Sequence, residues 1–210
     1  MVGTIGPLVQ GSLPRLRWRL QITALFVTAF LAGAASIFFL LFLLGVTVQV
    51  QRLPLSLRRC VATAGLFTLA SMDVWARSKG TYCPMGLKRQ TPRGLRLQHS
   101  MFVVASMWGF DIGLAITTIR VTAATWGAIL LTLLGLSGWQ TGIAYGLAFA
   151  IPITILMWTH RAGRITDAQK PVDAGLAELL NKSLVWQTNS AAILIAGGIM
   201  LVCEAFFGAT

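Results

Sequence analysis

The chain reads as an all-α polytopic integral membrane protein with about six transmembrane helices, on the strength of composition, run length and charge placement. Of its 210 residues, 56% are hydrophobic and 11% charged, against roughly 45–50% and about 25% in an average soluble domain. Mean hydropathy is +0.75. A water-soluble globule this apolar has too few charges to coat its surface, and the length excludes a large multidomain enzyme. Long apolar runs alternate with basic links, and about 20 apolar residues cross a bilayer as a helix.

Residues 1–21 form a basic tail carrying Arg15, Arg17 and Arg19. The apolar run that follows, Ile22 to Val50, far exceeds the roughly 7–15 residues of a signal-peptide core, so it reads as an uncleaved first span at 23–49. The arginine triplet points to a cytoplasmic N-terminus, and the expected location is a bacterial inner membrane. A second span, 60–76, ends in Asp73-Val-Trp-Ala-Arg77; a third, 101–119, and a fourth, 121–137, are separated by Arg120 alone, as a tight hairpin or a bent continuous pair. The fifth, 141–159, follows Gly138-Trp139-Gln140, and the sixth is 190–208. Residues 22–210 are thereby one transmembrane domain. Trp18, Trp75, Trp139, Trp158 and Trp186 fall at span ends, where aromatic side chains anchor helices at the interface.

Two longer links remain. Residues 77–100 hold Lys88, Arg89, Arg93 and Arg96 and no acid, which suits lipid headgroups or an acidic protein partner. In the other, Val172, Leu176, Leu179, Leu180 and Leu184 follow Pro171 at helical spacing, predicting an amphipathic helix over 172–185 that lies at the interface. The basic excess of 17 Lys+Arg over 6 Asp+Glu comes with no nucleic-acid recognition motif, so the partners it implies are the bilayer, a docked protein or a second copy of the chain.

Three acids lie in apolar spans. Asp111 sits near the middle of the third, where a carboxylate costs about 2.5–3.5 kcal/mol to insert and faces protein or an aqueous cavity. Thr118 continues its helical face and Thr117 lies beside it; both hydroxyls are candidate ligands for a substrate or ion. Asp73, one turn from Arg77, suits a local i,i+4 pair. With the N-terminus inside, Asp73 and Glu204 fall toward one membrane face and could share a polar path with Asp111. Gly109 with Gly113, and Gly142 with Gly146, form GxxxG patterns that admit a neighbouring backbone, while Pro152 and Gly197-Gly198 mark points where helices kink or break.

An internal echo joins Gly65-Leu66 and Trp75…Gly80 to Gly146-Leu147 and Trp158…Gly163. Three spans per half would place the halves in opposite orientations, the inverted-repeat plan of many transporters. Six spans in this length, the echo and the links after spans two and five resemble the small LysE-type exporters and the CcdA/DsbD-type transmembrane electron carriers. The latter resemblance implies thiol relay by cysteines beside prolines in the first and fourth helices. This chain has Cys60, Cys83 and Cys203, none in those spans, and Cys83-Pro84 stands in a link. HExxH, GxSxG, P-loop, GxGxxG and CxxC patterns are missing, which points away from an enzyme and leaves any cofactor undefined; His99 and His160, at span ends, make no metal set. The sequence therefore suggests a small-solute or ion transporter built on an intramembrane carboxylate. A membrane subunit or assembly factor docking through the basic link is the alternative, and a thiol carrier using Cys60 and Cys83 is the third reading.

Overall fold

The computed structural model describes residues 16–81, 100–116, 122–159 and 172–207. Within them the chain is helical: α1 (Leu16–Thr47), a 3-10 turn at Val50–Arg52, α2 (Leu55–Ser78), α3 (Met101–Gly113), α4 (Ala124–Leu133), α5 (Thr141–Thr159) and α6 (Val172–Phe207). Two segments, Leu20–Thr47 and Val185–Ala205, are long and apolar enough to cross a bilayer. α2 has the length but carries Arg58, Arg59, Asp73 and Arg77.

The helix limits differ from the expected spans in informative places. α3 stops at Gly113, six residues short, and Ala115 then takes a left-handed φ of 61° while fully buried. α4 is 10 residues long, about 15 Å, and ends by design. Gly135 adopts φ 64°, its N–H donates to the Thr132 carbonyl, and the Leu136 N–H donates to Leu131. That pair of bonds is the glycine-terminated C-cap known as the Schellman motif. Gly80 closes α2 in the same way, with Gly80 N–H on Arg77 and Thr81 N–H on Ala76. The amphipathic helix expected at 172–185 is not a separate element; it is the first part of the 36-residue α6.

By its internal contacts the chain gathers into two compact units that take alternate helices. The first holds α1 up to Ile37, α3 and α5. Ile22, Phe26, Phe30 and Ala34, spaced by four, line the buried stripe of α1. α3 runs parallel to α1, pairing Phe102 with Trp18, Gly109 with the Phe26 carbonyl and Gly113 with the Phe30 carbonyl. A Cβ on Gly109 or Gly113 would stand 2.3 or 2.2 Å from those oxygens, so only glycine permits this approach. Gly146 of α5 receives Leu31 of α1 at a similarly short distance.

The second unit holds α1 from Phe38, then α2, α4 and α6. Buried positions of α2, Ala62, Leu66, Leu69, Asp73 and Ala76, follow the alternating four–three spacing of a coiled-coil seam. Leu69, Ala70, Ala123, Ala191 and Leu194 pack around Leu66 as the core. Contacts along α2 fix the directions of its neighbours. Arg59 meets Glu204, Leu66 meets Gly197 and Arg77 meets Thr188, so α6 runs antiparallel to α2. Arg58 meets Leu134, Gly65 meets Leu130 and Asp73 meets Ala123, so α4 is also antiparallel to α2. Six strictly alternating spans would make the second, fourth and sixth parallel. They are not.

Candidate functional site

Polar contacts from two neighbouring helices converge on the start of α4. Helix beginnings leave N–H groups without intrahelical partners, and Ala123, the residue at the cap, has no side-chain oxygen to offer. The missing acceptors come from the neighbouring helices. The Ala123 N–H donates to both carboxylate oxygens of Asp73, at 2.9 and 3.0 Å. The Ala124 N–H donates to Ser190 Oγ at 3.1 Å, and the Ser190 hydroxyl also hydrogen-bonds Asp73. Asp73 is 0% exposed and Ser190 4%.

A carboxylate at a helix N-terminus meets the positive end of the backbone dipole. The other end of α4 is complemented with the opposite sign: Arg58 Nη1 donates to the carbonyls of Leu134 and Gly135, at 3.2 and 3.4 Å. Both groups belong to α2, 15 residues apart, about 22 Å along its axis. One antiparallel helix therefore supplies an anion to the start of α4 and a cation to its end.

Around Asp73 the polar surroundings are few. Among the described residues no cation pairs with it. Arg77 turns to α6, where Nη1 donates to Thr188 Oγ1, and Gln187 Nε2 donates to the Thr81 carbonyl at 2.7 Å. Thr125, in the first turn of α4, is 1% exposed, and among the described residues its hydroxyl has no hydrogen-bond partner. The junction thus gathers oxygen atoms from Asp73 and Ser190, with the Thr125 hydroxyl in the adjoining turn. Oxygens around a buried negative charge are what a proton or a small hard cation binds.

Several sequence expectations land elsewhere. The i,i+4 pair of Asp73 with Arg77 does not form, because α4 and α6 offer each residue a better-placed partner. Glu204 does not join Asp73: it pairs with Arg59 at 3.3 Å, 14 residues from Asp73 on α2, because α6 runs back along that helix. Asp111 is half-buried on α3 in the first unit; Thr117 and Thr118 lie outside the described residues, as do Cys83, Lys88, Arg89, Arg93, Arg96, His99 and His160. Gly142 is buried at the start of α5. Cys60 and Cys203 are free and exposed.

Sequence reasoning passed over Arg58, Ser190 and Thr125. A signal for Ser190 was present: α4 begins at Ala123-Ala124 with no capping residue at that position, so an acceptor for its first N–H groups had to come from another helix. Comparison of the chain with protein-family models, with curated proteins and with solved structures finds no match among any of them.

Proposed function

We propose that the chain is a multi-pass membrane protein that moves a proton or a small monovalent cation, with Asp73 as the carrying carboxylate. Support for membrane placement comes from the outer helix faces, where Leu40, Ile193 and Met200 are 58%, 66% and 64% exposed. Many large apolar side chains exposed in this way are a liability in water and ordinary in lipid. Trp18, Trp75, Trp139 and Trp186 are also exposed, as interfacial anchors are.

The proposed topology has five crossings. If α2 and α6 both cross and run oppositely, the chain crosses an even number of times between them, so α3, α4 and α5 together supply two crossings. α3 and α4 have 13 and 10 residues, about 20 and 15 Å, each short of the roughly 30 Å hydrocarbon core. Short helix starts build the ion sites of many transporters, and here Asp73 of α2 caps the start of the short α4.

The observation that carries the functional reading is a fully buried carboxylate with hydroxyl and amide partners and, among the described residues, no cation. A permanent charge in that position costs several kcal/mol, and a mobile proton or cation relieves it. Asp111, half-buried on α3, is assigned the lesser part. The test is cation-dependent proton flux in proteoliposomes under an imposed potential, with Na⁺, K⁺ and ammonium as probes. Wild-type protein is expected to conduct above empty liposomes, Asp73→Asn to lose at least about tenfold of that flux, and Asp111→Asn to lose less. Equal flux from Asp73→Asn, or none from wild type, overturns the proposal.

A further inference from the structure

The second unit carries a groove of about 410 Å³ on its surface between α2 and α6, lined by Phe67, Ala70, Ser71, Val74, Trp75 and Ile195. Its wall is mostly hydrocarbon, and the one hydroxyl present, Ser71 Oγ, is turned back onto the Phe67 carbonyl at 2.8 Å. Gly198 lets the Phe67 ring lie against α6: a Cβ there would stand 3.2 Å from the ring. From Phe67 to Trp75 the groove follows eight residues of α2, about 12 Å.

Its two ends differ in chemistry. Beyond Trp75, which is 54% exposed, stand Arg77 and Lys79, both exposed. Arg77 is held across the two helices by its bond to Thr188 Oγ1. Thr188 lies seven residues, two helical turns, before Ile195, so the guanidinium stands over the same crevice. The remaining donors of a guanidinium held this way suit a phosphate, for which arginine's planar fork is well matched. The acid nearest in sequence, Asp73, is buried inside the unit and offers no competing charge to this rim. An apolar trough capped by an interfacial tryptophan and two cations has the chemistry of a phospholipid: acyl chain below, phosphate above.

We infer that this groove binds one anionic phospholipid, its acyl chain along Phe67, Val74 and Ile195 and its phosphate at Arg77 and Lys79. The inference rests on the membrane reading above, which carbonate-resistant membrane retention tests separately and which it does not share with the flux assay. The experiment is native mass spectrometry of the full chain released from micelles containing equal phosphatidylglycerol and phosphatidylcholine. Wild type should retain phosphatidylglycerol at least about tenfold over phosphatidylcholine. The double variant Arg77→Gln/Lys79→Gln should lose that preference while still retaining lipid, since the trough is intact. Ile195→Trp, which fills the trough, should lose retention of both, with circular dichroism confirming unchanged helix content. Equal retention of the two lipids by wild type, an unchanged preference in the double variant, or a second protein chain cross-linking to a cysteine placed at Ile195 in membranes overturns it.

Discussion

Asp73 occupies one position of an otherwise small and apolar seam, and its neighbours make its replacement informative. Asp73→Ala strands the buried Ala123 N–H and removes a partner from Ser190, an error of about 1–3 kcal/mol. Asp73→Asn keeps an oxygen for Ala123, so its melting temperature in detergent should fall by less than half as much. A drop as large for asparagine as for alanine would mean that the charge, and not the acceptor, holds α4. Glycine positions give a second contrast at this scale. Gly113→Ala forces its Cβ onto the Phe30 carbonyl and should cost about 1–3 kcal/mol of stability. Gly197→Ala meets nothing closer than Leu66 Cδ1 at 3.6 Å and should leave the melting temperature within error. The GxxxG at Gly109 and Gly113 was legible because close backbone approach leaves a local spacing. The partners of Asp73 were not, because Ser190 is 117 positions away and the sequence offers Arg77 one turn off as a plausible substitute.

At the scale of the element, α4 is a short helix held at both ends by one neighbour. Its isolated stability is negligible at 10 residues, so its existence depends on packing and on the caps from Asp73 and Arg58. Arg58→Leu removes the donor to the Leu134 and Gly135 carbonyls, and hydrogen exchange in the last turn of α4 should accelerate while α6 stays protected. Glu204→Gln breaks the Arg59 pair, whose acid is 56% exposed, and should change stability by less than about 1 kcal/mol. A larger loss from Glu204→Gln than from Arg58→Leu would contradict the assignment of Arg58 as the structural cation. Apolar run length located the helices well, since burial and lipid contact both demand it. It did not locate where they stop: α3 ends at Gly113, and the buried Ala115 just beyond it takes a conformation that glycine usually takes, a poor sequence signal. Gly80 and Gly135, by contrast, end α2 and α4 where glycine is expected.

For the whole molecule, the all-α character was written in composition, but the direction of each helix was not. Charge counting leaves orientation undecided, because basic residues divide almost evenly between the two sides of a six-span plan. Direction emerges only from long-range pairs such as Arg59 with Glu204 and Arg58 with Leu134. Those pairs join residues 145 and 76 positions apart, and they turn α4 and α6 against α2. The proposed five-crossing topology stands on that reversal. The direct measurement is the side of the membrane reached by each terminus, read by impermeant labelling of single cysteines placed at Gly3 and Ala209 in a chain otherwise free of cysteine. Five crossings predict labelling from opposite faces, one site modified in intact cells and the other only after lysis. Both termini on the same face would contradict it and restore an even number of crossings.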